Sequence, residues 1–147
     1  GGYTANGREL IRLLAKAYLK SVTIGDCDFR KMTIENMSIP ENAIIFTSYA
    51  AHYIPELSMG FVGFLAKLKP RVVVHFEPCY EYYDMDTVHG MMCRRYMELN
   101  DYTKNLVSVI EASCARREIN FQVKKNIIGS NPLMPISIIE WTPTVKY

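Results

Sequence analysis

The chain has 147 residues, 49% hydrophobic and 22% charged, the length and balance of one globular domain with one sizeable core. Seventeen Lys+Arg against fifteen Asp+Glu leave a net charge of +2, which excludes a strong electrostatic pull toward nucleic acid or an anionic membrane. No apolar run approaches the roughly 20 residues of a bilayer-spanning helix.

The opening Gly1-Gly2-Tyr3-Thr4 is polar, and no secretory signal is expected from it. Asn6 stands three residues before Glu9, the spacing of a capping box, and Leu10, Ile11, Leu14, Ala17 and Tyr18 then recur at helical spacing. Ser21-Val22-Thr23-Ile24 is a short β-branched strand stopped by Gly25-Asp26. Ala43-Ile44-Ile45-Phe46 is a second strand. After Pro55, Ser58 caps a predicted helix carrying Phe61, Val62, Phe64, Leu65 and Leu68, which Pro70 closes. The basic cluster Lys67 to Arg71 is interrupted by Leu68 and Pro70 and reads as a solvated helix end.

Arg71-Val72-Val73-Val74-His75-Phe76 is a continuous apolar strand, the pattern of a strand covered on both faces in a parallel sheet. Residues 86–118 read as mostly helical, broken near Asn100-Asp101. The strands 119–127 and 136–141 close the chain as a hairpin around a loop with Gly129, Pro132 and Pro135. The order is α-β-β-α-β-α-β-β. The predicted fold is α/β, with strands near 22–24, 43–46 and 71–76 parallel and the last pair antiparallel in one sheet.

In such a sheet ligands bind beyond the carboxyl ends of the strands. Three clusters follow strands: Gly25-Asp26-Cys27-Asp28-Phe29, Thr47-Ser48-Tyr49-Ala50-Ala51-His52-Tyr53, and His75-Phe76-Glu77-Pro78-Cys79-Tyr80-Glu81. An Asp and an aromatic after a strand suit an adenine; His52, His75 and Glu77 suit proton transfer or the orientation of a hydroxyl. Plainer roles stay open for each: a turn or cap for Asp26, a loop position for His52, a hydrogen-bonded core position for His75. Glu77, between Phe76 and Pro78, is expected to be half-buried and to need a partner. Tyr80, Tyr82, Tyr83, Tyr96 and Tyr102 with Met85, Met91, Met92 and Met97 line either a core or a substrate pocket. The cysteines at 27, 79, 93 and 114 lack C-x-x-C spacing and read as free thiols of a reducing, cytoplasmic compartment; Cys79, His89 and Cys93 are not at standard zinc spacings, and no metal is expected.

The run Val22 to Phe29 resembles the third strand and acidic loop of class I (Rossmann-like) S-adenosylmethionine-dependent methyltransferases. Asn42 to Pro55 resembles that family's fourth strand and the polar loop after it, with a His near a Pro. Arg71 to Phe76 fits the fifth strand, and the final hairpin the sixth and seventh. The resemblance implies a Rossmann-like three-layer sandwich with a mostly parallel sheet, spanning 1–147 as a single, partial domain. It implies S-adenosyl-L-methionine as cofactor, bound by Asp26, Cys27, Phe29, Thr47 and Ser48, and methyl transfer to a small-molecule O or N acceptor served by His75, Glu77 and His52. The family's Gly-rich loop and first two strands have no counterpart here, so an N-terminal segment or a homodimer is expected to cover the sheet edge, and cofactor binding by the chain alone is expected to be weak. The rival readings are a non-catalytic α/β interaction module with an incomplete nucleotide site, and another Rossmann-like enzyme such as a nicotinamide-dependent one.

Overall fold

The computed structural model describes residues 4–129 and 131–144, save the side chain of Ile128, and divides the chain into two compact units, 1–39 and 40–147.

In the first unit, α1 spans Ala5–Ala17. Its N-cap is Thr4, two residues before the predicted Asn6, with the Thr4 hydroxyl accepting from the Gly7 N–H at 3.2 Å. Leu10, Leu13 and Leu14 on this helix are all exposed. Two short strands follow, β1 (Asp26–Asp28) and β2 (Thr33–Glu35), paired antiparallel with Cys27 opposite Ile34. The turn between them is built by Asp28, whose carboxylate accepts from the Arg30 and Lys31 N–H groups at 2.9 and 3.4 Å. These bonds hold the Asp28 carboxyl below its ordinary range.

The second unit holds a four-stranded sheet in the order β3-β4-β6-β5: β3 (Ile44–Ser48), β4 (Val72–Pro78), β5 (Ile119–Ile128) and β6 (Ile136–Pro143). Strands β3 and β4 are parallel, with Thr47 opposite His75; β6 runs antiparallel to both β4 and β5. Between β3 and β4 lie a 3₁₀ turn at Ala51–Tyr53 and the short helix α2 (Phe61–Ala66). A second 3₁₀ turn (Tyr80–Tyr82) leads to α3 (Val88–Leu99) and α4 (Leu106–Ala115).

Burial alternates along β4. Val73, His75 and Glu77 are buried, as are Ile139 and Trp141 beside them on β6, while Val72, Val74 and Phe76 are half-buried. The buried face packs with Phe61, Val62 and Leu65 of α2 and Leu106, Val109 and Ile110 of α4 in the core.

The Rossmann-like, mostly parallel sandwich is therefore corrected. Among the described residues only β3 and β4 are parallel; every other strand pair is antiparallel, and β1 belongs to a separate two-stranded sheet. Two physical reasons account for the difference. The strand placed at 22–24 is displaced to Asp26–Asp28, where the Asp28 turn makes a local hairpin partner available at once. The continuous apolar run 71–76, taken as a sign of cover on both faces, is buried strictly on alternate residues. The helix–break–helix at 88–115 and the closing hairpin are as predicted.

Candidate functional site

Strands β3 and β4 end side by side, and their last residues build a continuous buried polar chain. Thr47 lies opposite His75 in the parallel register, so the two side chains share a face; Trp141, paired with Val73, sits diagonal to His75 on the antiparallel side. The Trp141 indole N–H, which can only donate, gives its hydrogen to His75 Nε2 at 2.9 Å. That leaves the proton of a neutral His75 on Nδ1, which stands 2.9 Å from Thr47 Oγ1 and donates to it. The Thr47 hydroxyl in turn helps to hold Glu77 ionised. Burial pushes His75 down to about 4, against the pull of the Glu77 charge, so the imidazole is neutral at physiological pH. Both of its nitrogens are occupied.

Glu77 is wholly buried, 0% exposed, and all of its acceptor capacity faces the loop that leaves β3. Oε1 accepts from the Ala50 and Ala51 N–H groups at 2.9 and 3.0 Å. Oε2 accepts from the same Ala50 N–H at 3.1 Å, the His52 N–H at 3.4 Å and the His52 imidazole Nδ1–H at 3.2 Å. Burial alone raises such a carboxyl, but the bonds from His52, Ala50, Ala51 and Thr47 outweigh it and hold Glu77 below the usual carboxylate range. Three successive backbone N–H groups gathered on one carboxylate form an anion nest, here filled by the protein's own side chain.

The loop is bent to make that nest. Tyr49 has a φ of 47°, in the left-handed region that a bulky residue enters at a cost of about 1–2 kcal/mol. Its N–H donates to the Phe76 carbonyl, holding the loop to β4, and its hydroxyl donates to the Met134 carbonyl at 3.3 Å. Charge-assisted bonds of about 1.5–3 kcal/mol each offset the strain.

His52 is 2% exposed and enclosed by aromatic rings. Tyr53 lies over it at 4.1 Å between centroids; Tyr102 and Tyr49 stand across it at 4.8 and 5.7 Å, each nearly perpendicular. The His52 carbonyl accepts from the Thr103 N–H at 2.9 Å, joining this loop to the one between α3 and α4.

Of the residues predicted from sequence, Thr47, His75, Glu77 and His52 are brought into one network. Ser48 is at the exposed end of β3. Asp26, Cys27 and Phe29 belong to the first unit, where Asp26 pairs with Arg8 at 2.6 Å and burial pushes the Cys27 thiol up. All four cysteines are free thiols, and no cluster of metal-ligating side chains occurs among the described residues. Trp141 and the backbone of Ala50 and Ala51 are members that sequence reasoning did not single out. The period-two spacing of Ile139 and Trp141 puts both on one face of β6, but no side-chain pattern marks a backbone donor.

No protein family, curated protein or solved structure matches this chain. No helix among the described residues is long and apolar enough to cross a membrane.

Proposed function

We propose that the second unit carries the acceptor side of an S-adenosylmethionine-dependent methyl-transfer site, acting on a small-molecule oxygen or nitrogen. One observation carries the reading: Glu77 gathers the backbone of residues 50–52 and orients His52 at the carboxyl ends of two parallel strands. Methyl transfer is an in-line displacement at a sulfonium, so it asks for alignment of donor and acceptor, and for a base where the acceptor is a hydroxyl.

His52 is the group suited to be that base. Its Nδ1–H is committed to Glu77, which leaves the Nε2 lone pair to take a proton, and the carboxylate stabilises the imidazolium that forms. Glu77 and His75 are positioning residues in this reading, since neither presents a free polar atom to an acceptor. For an acceptor to meet His52, part of its aromatic cover shifts, and Tyr53, 60% exposed, is the member free to do so. Thr47 and Ser48 remain the proposed donor side on the strength of the resemblance alone. The four free thiols suit a reducing compartment, the cytoplasm.

The test is calorimetry with S-adenosylhomocysteine on the longest natural polypeptide that contains this chain, with NAD and ATP as controls. Binding at a Kd below about 1 mM (some 4 kcal/mol) by the homocysteine compound alone supports the reading. Binding of NAD in its place, or of none of the three, overturns it.

A second reading, an interaction module, is favoured by Ile44 and Phe46, which are exposed on β3, a strand with one neighbour in its sheet. Sedimentation that reports a concentration-dependent dimer, abolished by Phe46→Lys, together with no response to S-adenosylhomocysteine, selects it.

A further inference from the structure

Tyr53 and Tyr102 beside His52, and Tyr96 next to Tyr102, are partly open to solvent. Tyr53 and Tyr102 meet at 89° with centroids 5.6 Å apart, and Tyr96 stands 6.4 Å from Tyr102 at 62°. Tyr53 covers His52 with one side of its ring and remains 60% exposed; Tyr96 and Tyr102 are half-buried. Two perpendicular rings open to solvent form the corner of an aromatic cage. The electrostatics beneath are one-sided. Glu77 is wholly buried behind His52, and among the described residues no Lys or Arg pairs with it. Ring quadrupoles present their negative faces to a cation, and the Glu77 carboxylate behind them, bonded by backbone N–H groups and His52 but by no cationic side chain among the described residues, adds attraction of the same sign. A neutral ligand gains only the apolar contact.

We infer that the corner formed by Tyr53 and Tyr102, with Tyr96 at its margin, binds an organic cation of the methylated-ammonium or sulfonium kind. The backbone on both sides of the corner is fixed, at Tyr53 by the Glu77-bound turn and at Tyr102 by its N–H on the Met97 carbonyl and by the adjoining Thr103 bond to His52. The site therefore needs no folding step before it takes its ligand. The inference goes beyond methyl transfer, because a cation corner has the same preference whether or not the chain is an enzyme.

The probe is choline, set against its neutral isostere 3,3-dimethyl-1-butanol at matched ionic strength, with binding read from tyrosine ring resonances by NMR. Choline is expected to shift the Tyr53 and Tyr102 signals with saturation, and the isostere to bind about fivefold more weakly, the upper end for one exposed cation–π contact. Tyr53→Phe keeps the π face and should bind choline within about twofold; Tyr53→Leu keeps only apolar bulk and should lose about fivefold or more. Equal binding of choline and the isostere, undiminished binding by Tyr53→Leu, or no saturable shift at 100 mM (about −1.4 kcal/mol) overturns the inference.

S-adenosylmethionine and its thioether product form the second arm. If the cofactor binds several-fold more tightly than the product and displaces choline, the sulfonium is the cation; if choline binding is indifferent to both, the cation belongs to a separate ligand. The choline arm stands even if the methyl-transfer reading fails, so the two failures are distinguishable.

Discussion

Replacing Glu77 with Gln changes one heavy atom and no shape, yet it should destabilise the second unit strongly. The carboxylate accepts from Ala50, Ala51 and His52 backbone N–H groups and from His52 Nδ1. In the Glu77→Gln variant the amide carbonyl oxygen keeps the Ala50 and Ala51 bonds in neutral form, each weaker by about 1 kcal/mol. The amide NH2 then faces the His52 N–H, donor against donor, and a buried unpaired donor costs about 1–3 kcal/mol. His52 softens the loss by moving its proton to Nε2, so that Nδ1 accepts from the amide. The sum is about 3 kcal/mol, or roughly 10–20 °C in melting temperature for a unit of this size. Urea unfolding read by the fluorescence of Trp141, the single tryptophan and a buried one, measures it. Glu111→Gln, the same exchange at a residue exposed on α4, serves as control and should stay within about 0.5 kcal/mol. A Glu77→Gln loss no larger than the control's would refute the picture of a carboxylate that holds the loop.

His75 makes a second, pH-dependent contribution. Its folded pKa of about 4 lies below the ordinary 6.5, so the unfolded chain takes up the proton first as pH falls; stability is full above about pH 7 and about 3 kcal/mol of it is lost between 6.5 and 4. Urea titrations across that window should show the loss in the wild type and its absence in His75→Gln; a flat wild-type profile counts against a neutral buried imidazole. Trp141→Phe leaves His75 Nε2 without its donor and should cost about 2 kcal/mol by circular dichroism; a cost under about 0.5 kcal/mol would mean that water or a flipped ring replaces the indole. Gly90→Ala drives a Cβ into the backbone carbonyl of Asp84 at the start of α3 and should cost about 1–3 kcal/mol in thermal melts, where a stabilised variant would show that the turn yields freely.

Much of the local order was legible from periodicity. The apolar face of α4, the break near Asn100-Asp101 and the closing hairpin around Gly129 and Pro135 follow from spacing and turn chemistry alone. The convergence of His52, His75, Glu77 and Thr47 was legible too, because strand ends in a parallel pair fall at one edge. What was not legible is which carboxylate oxygen meets which N–H. Tyr49 in the left-handed region reverses the loop onto Glu77, and a tyrosine there carries no sequence signature, as a glycine would. The sheet was misjudged because Val72-Val73-Val74 reads the same whether one face or both are buried; only the alternation of exposure tells them apart. Asp26 likewise looked like a ligand residue after a strand, whereas it starts β1 and pairs with Arg8.

The chain Trp141–His75–Thr47 has a consequence for how the strands find one another. β4 and β6 are built from Val72-Val73-Val74 and Ile136, Ile138 and Ile139, segments whose apolar side chains fit several alignments nearly equally well. A slip by one residue turns the buried face outward. A slip by two keeps the hydrophobic match but carries Trp141 about 6.7 Å along β4, too far to reach the imidazole. That misaligned pairing buries an indole N–H and a histidine nitrogen without partners, and on the β3 side a comparable shift strands the Thr47 hydroxyl. Three polar side chains, one per strand, thus act as a key that admits a single alignment of otherwise interchangeable valines and isoleucines.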